Sequence, residues 1–255
     1  MTKELVDVTQ SGRVREIRLN RPEKRNALNL AMCHTLVDAV EQADADNNTG
    51  AVVLSGNGPA FCAGMDLKES IDAEQSELAA IHERLFTLIQ RVRTPIIAAV
   101  HGPTLAGGTG VTANAHLVFA APDTHFGLTE IRMGLWPMLI FRSVEHALGE
   151  RRAVELSLTG RHFTAQEALD YGLVTEIAGD PLAKARSVAE SIANSSPMAI
   201  SVGLEYVHRA RGRDWEHAGK VGRELRNQLL ESEDYKEGVA AFLGKRVPDW
   251  PSLKR

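Results

Sequence analysis

The chain has 255 residues, 44% of them hydrophobic and 24% charged, enough for one large domain or a domain with an appendage. A formal net charge of −4 offers no global attraction to nucleic acid. No apolar run is long enough to cross a bilayer, Met1–Leu5 opens no signal-type apolar core, and Cys33 and Cys62 form neither a disulfide framework nor a zinc-ligand spacing, so the expected compartment is the cytoplasm.

In chain order, Val6 and Val8, then Ile17 and Leu19, alternate with polar neighbours around Ser11-Gly12 and predict an opening hairpin. A polar, proline-broken loop, Asn20–Asn26, follows. Leu30, Cys33, Val37 and Val40 recur at helical spacing up to Asn47-Asn48-Thr49-Gly50. Ala51–Leu54 reads as a buried strand. Leu78, Ile81, Leu85, Leu88, Ile89 and Val92 trace a second amphipathic helix, broken by Thr94-Pro95 ahead of the apolar strand Ile96–Val100. Leu117–Ala120 is a further strand. Strands alternating with helices over residues 51–120 predict an α/β protein with a mostly parallel, covered sheet.

The second half changes character. Thr164-Ala165-Gln166-Glu167 is a capping box whose helix should stop near Tyr171-Gly172. Asp180-Pro181 and Ser196-Pro197 each set a capping residue before a proline suited to the first helical position. Ser232-Glu233-Asp234 places acid in the first turn of a final helix, and from Pro181 onward the chain reads as almost wholly helical. The division expected is a core over residues 1–195 and a helical region over 196–255.

Two stretches can carry chemistry. His101–Gly110 is glycine-rich and stands between a strand and a short small-residue segment compatible with a helix. Glycines there let a ligand atom approach free backbone N–H groups at a helix start. Phe61-Cys62-Ala63-Gly64-Met65-Asp66-Leu67 has the same character after the Val52–Leu54 strand. Two such strand ends could converge on one oxygen atom, the construction of an oxyanion hole. No Walker pattern and no Gly-x-Gly-x-x-Gly run is present.

Taken together with Leu19–Asn29, Val100–Pro103, Phe126-Gly127-Leu128-Thr129-Glu130, Leu158–Arg161, Gly172–Val174 and Glu237–Arg246, these stretches resemble, in order and over nearly the whole chain, the crotonase superfamily of enoyl-CoA hydratases and isomerases. The resemblance implies a spiral of ββα units with a helical C-terminal trimerisation region, assembled as a homotrimer or homohexamer. It also implies an acyl-CoA thioester as substrate, with CoA as part of that substrate and no separate cofactor; no metal, nucleic-acid or membrane partner is expected, in keeping with the charge and hydropathy above. By motif matching, the oxyanion donors are the N–H groups of Ala63 and Gly107, and Glu130 is the proton-transferring carboxylate. Arg25, Ala27 and Leu28 in one loop, and Met65, Asp66 and Leu67 in the other, match CoA-binding positions. Phe242 and Lys245 match positions that reach CoA from a neighbouring subunit, Lys245 as a partner for phosphate.

Three departures bear on the reaction. The position of a second catalytic glutamate, three residues after Gly107, is Gly110. His101 stands where asparagine is usual, His116 where aspartate is frequent, and His125, five residues before Glu130, is a candidate second acid–base group. A loop that is usually glycine-rich reads Trp136-Pro137-Met138-Leu139-Ile140-Phe141, so Trp136 and its neighbours are expected to reshape the acyl pocket. The reading is an enoyl-CoA hydratase. Its rivals are a double-bond isomerase using Glu130 alone and an acyl-CoA-binding protein without catalysis.

Overall fold

The computed structural model describes residues 4–72 and 74–254; Met1–Lys3, part of the stretch used to argue against a signal segment, lie outside them. The alternating valines, isoleucine and leucine pair as predicted: β1 (Val6–Ser11) and β2 (Val14–Leu19) form an antiparallel hairpin in which Val8 faces Ile17. Helix α1 (Leu30–Ala45) begins at Asn29, whose side chain accepts the Met32 N–H at 2.9 Å. The apolar runs become β3 (Ala51–Gly56) and β4 (Ile96–Val100), and β4 is buried along its whole length. Such runs suit strands covered on both faces.

The main sheet gains β6 (Leu117–Ala120) and the two-residue β9 (Glu176–Ile177), in the order β1-β2-β3-β4-β6-β9, and every pairing from β2 onward is parallel. Alternate side chains split between two cores. Val52, Leu54, Ile96 and Ala98 pack with α1 and α3 (Gln75–Phe86); Val53, Ile97, Ala99 and Phe119 pack against α8 (Pro181–Ala193). On α8 the contact face is Ala185, Ala189 and Ala193, small residues at helical spacing that let the helix lie close to the sheet.

Two expectations change. Helix α3, after the short α2 (Leu67–Asp72), ends at Phe86 and not at Val92. Leu88 and Val92 stay buried through a 3-10 turn, so the apolar spacing outlasts the α-helix that it seemed to mark. The glycine-rich stretch is also not a direct turn from β4 into a helix. Residues Pro103–Leu105 form β5, which leaves the main sheet and joins β7 (His125–Gly127) and β8 (His162–Thr164) in a second sheet of order β5-β7-β8. Three-residue strands show no periodicity, and their pairing is non-local. Only then does α4 (Gly107–Ala113) begin.

Helices α5 (Met138–Leu148) and α6 (Glu150–Thr159) follow the site segment, and α7 (Ala165–Tyr171) starts with the predicted reciprocal capping box of Thr164 and Glu167 and ends at left-handed Gly172. Asp180, Ser196 and Ser232 cap α8, α9 (Pro197–Ala210) and α11 (Glu233–Leu243) as expected, and α10 (Trp215–Leu230) lies between the last two. Val202, Val221 and Leu225 make a third, small cluster of their own.

Candidate active site

Loop 21–28 is fastened to the loop after β3 chiefly by the Asn26 side chain. Asn26, fully buried at left-handed φ +54, donates to the carbonyls of Asn57, Ala60 and Phe61 at 2.9–3.1 Å and accepts the Arg21 N–H at 2.8 Å. Arg21 pairs with Asp66 at 2.7 Å, holding that carboxyl below its ordinary range despite partial desolvation. Leu28 gives its N–H to Gly64 O and takes that of Asp66. Asn26→Ala leaves several buried polar groups unpartnered at once and is expected to cost about 3 kcal/mol or more, read as a lowered urea midpoint.

The two loops singled out in the sequence do meet. Phe61 N–H bonds to His101 O at 2.9 Å and Leu105 N–H to Cys62 O at 3.0 Å, so the Phe61–Gly64 segment runs parallel to β5. A Cβ on Gly108 would lie 2.2 Å from Cys62 O, which explains glycine there. A Cβ on Gly64 would lie 3.5 Å from the Gly107 nitrogen. Ala106, just before α4, is held at φ +48, ψ −118, a conformation that L residues rarely adopt, and its N–H goes to Gly127 O at 2.7 Å. Thr109 ties the same helix down by donating its hydroxyl to Thr104 O at 2.8 Å.

The donor assigned to Ala63 is corrected. Its N–H is donated to Arg25 O at 3.0 Å and is not free. Gly64, at φ +97, turns the chain, and the N–H of Met65 then finds no acceptor among the described residues. The N–H of Gly107, first residue of α4, likewise finds none.

Glu130 sits in a 3-10 turn, Thr129–Met133, three residues beyond β7. Its Oε2 is buried without a hydrogen-bond partner, and burial pushes the carboxyl above its ordinary value, opposed only by its own backbone N–H. Glu130, Gly107, Met65 and Ala63 line one cavity of about 400 Å³, along with Leu28, Leu67 and Trp136.

The place of the missing carboxylate is not open. A Cβ on Gly110 would lie 2.3 Å from Ile140 Cγ2, 2.7 Å from Ile140 Cβ and 3.2 Å from Phe86 Cδ1. Helix α5, beginning in the bulky loop Trp136–Phe141, fills with hydrocarbon the space where a second glutamate would start.

Other expected residues scatter. Arg25 is exposed and Asp66 is committed to Arg21; neither they nor Ala27 line the cavity. Phe242, 84% exposed, and Lys245 lie outside it too, Phe242 beside Tyr235, Leu243 and Trp250 on an apolar surface of the C-terminal helices. Of the histidines, His101 contacts Gly58 O at 2.9 Å, His116 accepts the Ile96 N–H and is driven down to about 4 by burial, and His125 stacks on His162. None reaches the cavity. His82, which the sequence reading passed over, does. Its signal was position: it falls in the apolar spacing of α3, one turn before Phe86.

A carboxylate and free N–H groups under an apolar cavity, on this two-sheet core, define the class of oxyanion-stabilising crotonase-fold enzymes. The family model described as Enoyl-CoA hydratase/isomerase matches residues 9–253, and the chain belongs to that family. It is 33% identical to the 2,3-dehydroadipyl-CoA hydratase of Escherichia coli (strain K12), covering 95% of this chain and 97% of that one. Enoyl-CoA hydratase EchA19 of Mycobacterium tuberculosis is 32% identical, with 95% of each chain covered. A crystal structure of an enoyl-CoA hydratase from Mycobacterium smegmatis superposes with a TM-score of 0.92 at 31% identity, covering 97% of this chain and 99% of that one.

Proposed function

We propose that the enzyme adds water to a 2-enoyl-CoA, with Glu130 as its one carboxylate and the N–H groups of Met65 and Gly107 as its oxyanion donors. The observation that carries this reading is the buried, unpartnered Oε2 of Glu130 in the same cavity as two unbonded N–H groups. Glu130 in its ionised form takes a proton from water as the water oxygen bonds to C3. The C2–C3 π electrons move onto the thioester, and the two N–H groups receive the enolate oxygen. The same proton then passes from Glu130 to C2, so that atoms balance and the carboxylate is regenerated. Relatives named for hydration favour this over the second reading.

The second reading is double-bond isomerisation, favoured by one observation: Ile140 and Phe86 occupy the place of a second carboxylate. A lone glutamate can move a proton between C2 and C4 without water. Incubation with 2-enoyl- and 3-enoyl-CoAs separates them. Gain of one water by mass supports hydration; unchanged mass with a shifted double bond supports isomerisation; binding of both without turnover leaves a non-catalytic binder.

The reading extends to CoA and assembly. Leu28, Met65 and Leu67 line the cavity, and the loops that carry them, 25–28 and 65–67, would meet the CoA, with no further cofactor. Phe242, Leu243 and Val247, at 75–85% exposure, together with Trp215 at 94%, are apolar surface that a second copy of the chain would cover. We take residues 196–255 as the oligomerisation region of a homotrimer or homohexamer, bringing Phe242 and Lys245 to a neighbour's CoA. No helix among the described residues is long and apolar enough to cross a membrane, and Cys33 and Cys62 are free, buried thiols pushed up to about 12. The cytoplasm is the compartment we assign.

A further inference from the structure

Among the described residues, three titratable side chains line the cavity. Arg132 is exposed, Glu130 is half-buried with its Oε2 out of solvent, and His82 is buried. The Glu130 carboxyl has its chemistry. His82 has none assigned: it is only 8% exposed, and its Nε2 has no hydrogen-bond partner among the described residues. Its surroundings are apolar, the nearest ring being Phe86 at 5.7 Å between centroids. Phe86 in turn reaches to 3.3 Å from the Cβ position of Gly107, so His82 stands one helical turn away along the wall that borders the oxyanion donor. Packing alone would place leucine or phenylalanine here, because an orphaned imidazole nitrogen destabilises the fold and a hydrocarbon side chain would not.

We propose that His82 is a specificity-determining residue for an acyl group that carries a neutral oxygen, a keto or hydroxyl group, and that this oxygen is the missing partner of the imidazole. The inference rests on the cavity being the acyl site. Burial holds the ring in its neutral form, which can donate to a keto oxygen or exchange hydrogen bonds with a hydroxyl. A plain hydrocarbon chain in this cavity leaves His82 unpartnered, and a site built to bond an oxygen rejects the analogue that lacks it.

The test uses saturated thioesters, which can be neither hydrated nor isomerised at C2–C3, so it does not depend on which reaction the enzyme performs. Binding of hexanoyl-CoA, 4-oxohexanoyl-CoA, 5-oxohexanoyl-CoA and 6-hydroxyhexanoyl-CoA is measured by calorimetry with the wild type, His82→Phe and His82→Gln. At least one oxygenated chain is expected to bind the wild type about tenfold or more tighter than hexanoyl-CoA. His82→Phe should bring that preference to within about twofold, leave hexanoyl-CoA binding equal or tighter, and raise the melting temperature. His82→Gln, which keeps a donor and an acceptor, should retain part of the preference. The proposal is overturned if the wild type shows no preference, if the preference survives His82→Phe, or if the variant weakens every thioester equally, which would assign His82 to the CoA portion. Failure of all four thioesters to bind the wild type would instead remove the acyl-site reading, and this proposal with it.

Discussion

Glu130→Gln is expected to lower kcat/KM by about a thousandfold while acyl-CoA binding stays within a few-fold of wild type. The amide is isosteric, keeps the cavity shape and leaves the Met65 and Gly107 N–H groups in place, so only proton transfer is lost. The wild-type rate carries its own signature. The reactive form is the carboxylate, and burial raises its pKa above the ordinary 4.5. Activity should therefore fall with acid already at a pH above 4.5, and the residual activity of Glu130→Gln should lack that limb. Retention of full activity by Glu130→Gln would remove Glu130 from the mechanism.

Stability should move the other way. A carboxyl whose pKa is higher in the folded state than in the unfolded state favours the fold when protonated, and that contribution is lost as pH rises through the folded value. At pH 8 the wild type holds an ionised carboxyl whose Oε2 is buried without a partner, and Glu130→Gln carries no such charge. The variant should melt at a higher temperature than wild type at pH 8, with the gap closing toward pH 4. A catalytic group kept at the expense of stability behaves in this way.

The second large effect is at Gly110. Restoring a glutamate there is the obvious attempt to build a two-carboxylate hydratase, and the packing opposes it. The new Cβ would meet Ile140 Cγ2 at 2.3 Å and Phe86 Cδ1 at 3.2 Å, and the carboxylate would have to share their apolar surroundings. Overpacking costs about 1–3 kcal/mol, and an unpaired buried carboxylate adds several kcal/mol. Gly110→Glu is expected to lose about 4 kcal/mol or more, or to yield no soluble protein, with no gain in hydration. Ile140→Ala in the same chain removes Cγ2 but keeps the Cβ at 2.7 Å, so rescue should be partial. Urea unfolding of the single and double variants measures both. A folded Gly110→Glu enzyme hydrating faster than wild type would show that the cavity wall yields where close packing says it does not.

What these residues do was legible in the sequence to very different depths. The hairpin, β3, β4 and β6, and the caps at Thr164, Asp180, Ser196 and Ser232 rest on local chemistry, period-two apolar alternation in the hairpin, short continuous apolar runs in the other strands and a side-chain oxygen facing free N–H groups at the caps, and so could be read residue by residue. Gly107 and Glu130 were found through ordered motifs, and both line the one cavity.

The tertiary structure decided the rest. Whether Ala63 or Met65 keeps a free N–H depends on the turn at Gly64 and on Arg25 O arriving from a loop nearly forty residues earlier, which no spacing within Phe61–Leu67 reveals. His82 looked like one more position on the buried face of α3, because helical periodicity says that a side chain is inside without saying whether it meets a core or a cavity. The sequence shows that Gly110 lacks a carboxylate; only packing shows that Ile140, thirty residues on, has filled the gap. Local patterns determined most of the longer elements and the family, but not the three-residue strands of the second sheet. Contacts between residues far apart in the chain decided which N–H groups are free, which histidine lines the cavity and which carboxylate has no room to return.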